Sequence, residues 1–462
     1  METVFNQSLW GDEGFSAILS MKSLPEILKI IAKDTSPPLW NIWEWLFFRL
    51  FGTHEIVIRC LAFIFFLGTV FFAYKIGAFL WNRKTGILAA ALTFLNPFFF
   101  TYAFEGRMYS ILTLGVTASM YFFLKILKAK DSKLKTFDKV GYVIATLWAM
   151  YSHHFAIFAI FLQGLWFIWE FLFGKRETAK KIFWLFVFVG IGYLPWMLPL
   201  YNQTKMVGGG FWLGTPILKD LRNLIYEYLA EGIKGHPFEI FSLKLHQIAL
   251  DLVLISLIIK KWFKNIKENL FLASWFLFPI LSTWGVSQLF QSIFFNRYLL
   301  YTIPAAMLLL ASNRRKLTTI ILAFLVIIFI MIDFHYFTHP TKKPFRELAR
   351  YVKDTRQERD FLVNWNAASH HLWETKYYDI PAPIYIQGGG ELPFFVGTAL
   401  MQESDIAVSI PKDTVRVGVV TSGSVDEVAL PGYTEEERKT FRAPAPGGGE
   451  IHFVWLQKNE KL

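Results

Sequence analysis

Ten apolar stretches, joined by links that alternate between strongly basic and nearly neutral, leave this chain few ways to fold. The stretches fall at about 56–80, 86–104, 108–128, 140–152, 155–173, 182–200, 247–260, 269–289, 297–312 and 317–336. Most approach the roughly 20 residues that a helix needs to cross a bilayer. One set of links carries Arg83 and Lys84; Lys125, Lys128, Lys130, Lys133, Lys135 and Lys139; Lys175, Arg176, Lys180 and Lys181; Lys260, Lys261, Lys264 and Lys267; Arg314, Arg315 and Lys316. The other short links hold single basic residues such as Arg107 and Arg297. The positive-inside rule places the basic set in the cytoplasm. The net charge of +11 is therefore a topology signal here, and no nucleic-acid partner is expected. An even number of spans puts residues 1–55 and the tail after 337 on the same outer face.

The segments outside the spans read differently. The hydrophobic share of 54% exceeds that of a soluble domain, yet Met1 to Ser8 is polar and shows no signal-peptide core. Phe15, Ile18, Leu19, Leu24, Ile27, Leu28 and Ile31 recur at helical spacing, as in a helix lying on the membrane. Ser36 and Pro37 suit an N-cap and first turn for a helix to Phe51, about 15 residues long and too short to span. The link 201–246 contains Gly208, Gly209 and Gly210, and reads equally as a flap or a connector. After His335 the chain turns polar. D-F-L-V-N-W, P-I-Y-I-Q, V-R-V-G-V-V and I-H-F-V-W-L read as strands. Phe345 to Arg356 and Ala368 to Tyr377 read as helices, which together predict a small α/β domain. Gly447 to Gly449 is a turn before the last strand; no helix follows it, so it is no phosphate loop. The single cysteine, Cys60, rules out a disulfide framework and a Cys-based metal site. The fold class expected is mainly α: a polytopic helical bundle over 1–336, with a soluble α/β domain over 337–462.

Polar residues gather at the outer ends of the spans and in the first outer loop: Asp12, Glu13, Asp34, Arg59, Glu105, Arg107, His153, His154, Arg297 and Tyr298. Carboxylates near hydrocarbon need a solvated, paired or functional explanation. An acid that takes a hydroxyl proton, with arginines around a phosphate, suits sugar transfer from a lipid phosphate, because the departing phosphate gains charge that guanidinium groups stabilise. Each residue also has a plain structural reading. Asp12 would cap a helix starting at Glu13, and Asp34 would shape the turn before two prolines. Arg107 and Arg297 would snorkel, His153 and His154 would sit at the interface, and Tyr298 would join an aromatic belt.

The order of motifs adds to this. W-G-D-E-G-F-S, D-T-S-P-P-L-W, F-G-T-H-E-I-V-I-R, N-P-F-F-F-T-Y-A-F-E-G-R-M-Y-S, Y-S-H-H-F and N-R-Y-L-L-Y-T-I-P follow one another over residues 8–336. This sequence of motifs resembles glycosyltransferase family 39, the dolichyl-phosphate-mannose-protein mannosyltransferase-like proteins of the GT-C superfamily, to which the lipid A aminoarabinose transferases also belong. The resemblance implies a GT-C-type bundle and an inverting transferase that uses a polyprenyl-phosphate sugar donor at the outer membrane face. It carries the family's first-loop acid pair onto Asp12 and Glu13, with Asp12 as general base. It carries the phosphate-binding arginines onto Arg59, Arg107 and Arg297, and the loop histidine onto His153. Asp34, Glu105, His153 and Tyr298 are supporting residues. A divalent metal is left open, with Glu13, Glu105 and His153 as side chains that would hold it. The acceptor is a protein, lipid or glycan hydroxyl. Two departures stand out. Relatives carry a transmembrane helix before the acid pair, for which there are too few residues here, and they read H-P-P where this chain has S-P-P at Ser36. A transporter or flippase of a lipid-linked sugar, and a membrane anchor for an active tail, are the competing readings.

Overall fold

The computed structural model describes residues 2–129, 135–232, 240–313, 315–365 and 370–459. The link residues Lys130, Lys133 and Arg314, and the start of the helix expected from Ala368, lie outside the described residues. Among the described residues, eighteen α-helices run in order: α1 (Gly11–Ser20), α2 (Leu24–Ile31), α3 (Leu39–Phe51), α4 (Glu55–Leu80), α5 (Arg83–Phe94), α6 (Pro97–Thr101), α7 (Tyr109–Lys128), α8 (Thr136–Ser152), α9 (Ala156–Phe173), α10 (Arg176–Tyr193), α11 (Met197–Gly208), α12 (Leu218–Tyr226), α13 (Ile240–Ile258), α14 (Ile266–Leu289), α15 (Ile303–Ala311), α16 (Lys316–Thr338), α17 (Phe345–Thr355) and α18 (Leu372–Tyr377). Six strands follow or interleave with the last two: β1 (Asp360–Asn364), β2 (Ile384–Tyr385), β3 (Ile406–Ala407), β4 (Arg416–Thr421), β5 (Tyr433–Arg442) and β6 (Glu450–Lys458).

The protein is a multi-pass membrane protein. Among the described residues, six helices are long and apolar enough to cross a bilayer, or seven if one bent pair counts as a span. The stretch expected at 86–104 is that pair, bent by 55° between α5 and Pro97–Phe104. Pro97 has no N–H to continue the ladder, and Asn96 caps the new helix by accepting from Phe99 N at 3.0 Å. The stretch expected at 297–312 is a 3₁₀ turn, Asn296–Thr302, followed by α15. α8 has only 17 residues. The helix after Ser36 starts at Leu39 rather than at Pro37.

Two compact units make up the chain. One comprises residues 31–40 and 59–335. Its helices approach closely through small residues, as packing in lipid requires. A Cβ built on Gly115 of α7 would stand 2.7 Å from Ala149 N of α8. A polar chain crosses the same interior: Tyr142 Oη donates to Gln163 Oε1 at 2.7 Å, Gln163 Nε2 donates to Ser119 Oγ at 2.9 Å, and Ser119 meets Thr146 at 2.8 Å.

The other unit comprises residues 1–30, 41–58 and 336–462. It contains the α/β domain expected for the tail. The sheet order is β3-β2-β1-β4-β6-β5, with β1, β2, β3 and β4 parallel and β5 and β6 antiparallel. Alternation along the strands fills two cores. Leu362 and Val420 join Phe345, Leu348 and Val352 of α17 on one face, and Val363, Val417 and Val419 meet Val454 and Leu456 on the other. β5 is absent from the sequence reading because T-E-E-E-R-K-T has no apolar alternation. It is an exposed edge strand whose charges keep that edge from further pairing. In the same unit α1 lies against α18, closely enough that a Cβ on Gly14 would stand 2.9 Å from the Trp373 backbone, and Phe15 meets the Trp373 ring edge-on at 5.3 Å.

Candidate functional site

The membrane unit holds a cavity of about 420 Å³. Its apolar wall includes Met150, Ile157, Phe158, Leu200, Val207 and Ile293, and its polar lining is Arg107, His153, His154, Gln203, Thr204, Thr35 and Tyr298. Arg107, the two histidines and Tyr298 are each placed by a break between helices. Arg107 follows a tight turn in which its N–H donates to Glu105 O at 2.7 Å, made easy by Gly106. The 3₁₀ turn carrying Arg297 and Tyr298 is tied down by the Tyr228 hydroxyl, which donates to the Asn296 carbonyl; Asn96 Nδ2 in turn donates to Tyr228 O at 2.8 Å. The Arg297 guanidinium lies over the rings of Phe295 at 4.8 Å and Tyr109 at 5.6 Å.

His153 and His154 sit in the extended step between α8 and α9. His153 ends α8, its N–H bonding Ala149 O at 3.1 Å, and its Nδ1 accepts from Phe155 N at 3.1 Å. Its ring stacks obliquely on Tyr298 at 4.8 Å. Burial, then the charges of His154, Arg107 and Arg297, hold its pKa well below the usual imidazole range. With Nδ1 assigned as acceptor and the ring neutral, Nε2–H is its donor. Burial likewise lowers His154 to about 4.

Gln203 of α11 is a fixed point that no sequence pattern announced. Its Nε2 donates to Ile31 O at 2.8 Å and Ser36 O at 3.3 Å, and its Oε1 meets His154 Nε2 at 2.7 Å. It therefore ties the 31–36 loop, which holds Asp34 and Thr35, to the cavity wall. Tyr102 was also missed, having looked like one more aromatic in an aromatic stretch. Arg297, Glu105, Glu227 and Tyr298 all act on its ring electrostatically.

Of the residues singled out by sequence, Arg107, His153, His154 and Tyr298 line the cavity, Arg297 acts electrostatically on His153, and Glu105 on Tyr102. Asp34 is buried in the tethered loop. Arg59 is fully buried near the start of α4, one turn before Phe63, whose ring stacks on Phe104 beside Glu105 at 5.2 Å.

Asp12 and Glu13 belong to the tail-containing unit. α1 starts at Gly11, so Asp12 is a first-turn residue rather than the cap. Glu13 reaches back to Trp10 N at 3.4 Å, and its fully buried carboxylate pairs with Lys342 Nζ at 2.8 Å. Among the described residues, no group of three or more His, Cys, Asp or Glu side chains converges to hold a metal ion.

A model of the dolichyl-phosphate-mannose-protein mannosyltransferase family matches residues 35–198. That range takes in Arg59, Glu105, Arg107 and His153 and leaves out Asp12, Glu13, Asp34, Arg297 and Tyr298. Among curated protein sequences, none matches the chain. Among solved structures, the Archaeoglobus fulgidus oligosaccharyltransferase in complex with Zn and sulfate aligns with 89% of this chain and 64% of its own, at 13% identity and a TM-score of 0.52. ArnT from Cupriavidus metallidurans bound to undecaprenyl phosphate aligns with 98% of this chain and 96% of its own, at 11% identity and a TM-score of 0.43.

Proposed function

For a chain with the GT-C glycosyltransferase fold, we propose that its reaction is the inverting transfer of a sugar from a polyprenyl phosphate to an acceptor hydroxyl at the outer membrane face. The observation that carries this reading is the cavity of the membrane unit. One run of its lining is apolar and suits a polyprenyl chain. The other gathers Arg107, the neutral His153, Gln203 and Tyr298, with Arg297 nearby, and suits a phosphate. The match of 35–198 to a family named for dolichyl-phosphate-mannose agrees with such a donor.

The chemistry needs a base and an anion site. Asp12 takes the proton from the acceptor hydroxyl as its oxygen forms a bond to the anomeric carbon. The bond from that carbon to the phosphate oxygen breaks on the opposite side, so a single in-line displacement inverts the centre. The leaving polyprenyl phosphate gains one negative charge. Arg107, Arg297 and Arg59 stabilise it, and His153 contributes its Nε2–H. Glu13 holds the Asp12 turn in place through Lys342, and Glu105 orients the arginines.

The test supplies the purified protein with a panel of polyprenyl-phosphate hexoses and pentoses, and membrane extract as acceptor source. Release of free polyprenyl phosphate by the native protein, and its loss in a folded Asp12→Asn variant, is the expected result. Normal transfer by Asp12→Asn would sink the base assignment. Movement of intact lipid-linked sugar without release would mark a transporter.

A further inference from the structure

The sheet in the tail has a topological switch point. From β1 the chain proceeds to β2 and β3 on one side, and β4 then returns to pair with β1 on the other. In parallel sheets the crevice beyond the carboxyl ends of two such strands is where ligands bind. Those ends are Asn364 of β1 and Thr421 of β4, and three side chains meet there. Ser422, the first residue after β4, places its Oγ 2.8 Å from His371 Nε2. His371 Nδ1 lies 3.1 Å from Glu374 Oε1.

This is a hydroxyl, an imidazole and a carboxylate in hydrogen-bonded series, the arrangement recognised by geometry rather than by chain order as a nucleophile, its base and the group that orients the base. Its members are held from several sides. The Asn364 carboxamide accepts from His371 N at 3.3 Å and donates to Thr375 Oγ1 at 3.1 Å and Ala382 O at 2.7 Å. The Phe345 ring packs on the His371 ring at 5.3 Å. His371 and Glu374 are buried, while Ser422 is half-exposed in the turn T-S-G-S. The oriented part of the chain is thus shielded and the nucleophilic end is reachable.

We propose that the tail carries a second reactive centre, Ser422–His371–Glu374, that cleaves or transfers acyl groups held in oxygen esters. His371 Nε2 takes the Ser422 proton as Oγ bonds to the ester carbonyl carbon. The carbon–alkoxide bond then breaks, and the alcohol leaves with the proton that His371 returns. Water, or a second hydroxyl such as one on a sugar, repeats the sequence and releases the acyl group from Ser422. Glu374 holds the tautomer with Nδ1–H and balances the imidazolium charge. Ser422 is half-exposed, so an ester reaches its Oγ from solvent. This centre stands apart from the proposed glycosyl transfer and does not rest on it.

The test uses the full chain in detergent with a fluorophosphonate probe, which bonds to a base-activated serine with loss of fluoride. Ser424, two residues away and exposed, serves as an internal reference in the same molecule. Mass spectrometry should find Ser422 modified about 10²-fold faster than Ser424, the scale of general-base help. His371→Ala should bring Ser422 down to the Ser424 rate while leaving the Ser424 rate unchanged, and Glu374→Gln should give an intermediate value. p-Nitrophenyl acetate turnover should fall in step with labelling. Equal labelling of the two serines, no adduct at Ser422, or an adduct rate indifferent to both substitutions overturns the proposal.

Discussion

Lys342→Met should loosen α1 and so the turn that carries Asp12. Glu13 is completely buried, and Lys342 Nζ stands 2.8 Å from its Oε2 with its own side chain 16% exposed. Breaking a buried pair by removing one partner costs about 3–5 kcal/mol, because the remaining charge is left in a poor environment. The partial exposure of Lys342 and the Trp10 N–H at 3.4 Å argue for the lower end, about 3 kcal/mol. That corresponds to a roughly 150-fold rise in the open population of the segment, at 1.4 kcal/mol per tenfold. Amide hydrogen exchange of residues 11–20 should accelerate by about two orders of magnitude, while the polar chain through Tyr142 and Gln163 keeps its protection. Sugar transfer should fall mainly in kcat, since a displaced base loses orientation rather than donor affinity. Glu13→Gln added to Lys342→Met should recover much of the protection, because it removes the buried charge. Exchange of the α1 amides within twofold of the native rate in Lys342→Met would refute the reasoning.

Other outcomes follow from the membrane unit. Arg107→Ala should lower kcat/KM by about 10²–10³, as loss of one charge-stabilising group at a reacting centre does, with Arg107→Lys in between. Gln203→Leu removes the bonds to Ile31 O, Ser36 O and His154; a rise in limited proteolysis at residues 31–37 is the direct readout, and unchanged cleavage would count against the tether. Gly115→Leu should reduce thermal stability and monodispersity, because even its Cβ would stand 2.7 Å from Ala149 N and push α7 from α8. His154 has a folded pKa of about 4 against an ordinary 6.5, so between those values the unfolded state binds the extra proton. Stability should therefore fall as pH drops through that window, by up to about 1.4 kcal/mol per pH unit, with His153 acting in the same direction; thermal unfolding at pH 7 and 4.5 measures it.

The sequence by itself determined the class of this protein. Hydrocarbon-length apolar segments with basic links admit little besides a helical membrane bundle, and short apolar runs in the polar tail marked β1, β2, β4 and β6. The reason is that burial of apolar surface is written locally, in which residues recur and how often. Arg107, His153 and Tyr298 were also legible, since polar residues at span ends stand out against an apolar background. What tertiary structure decided was everything that depends on partners far apart in the chain. The tether from Gln203 to residues 31 and 36, the pairing of Glu13 with a lysine 329 positions away, and the meeting of Ser422 with His371 leave no periodic trace. β5 escaped for a related reason: its strand state comes from pairing with β6, not from its own charged side chains. Such contacts are specific hydrogen bonds and ion pairs, set by which backbone segments the fold brings within about 3 Å of one another.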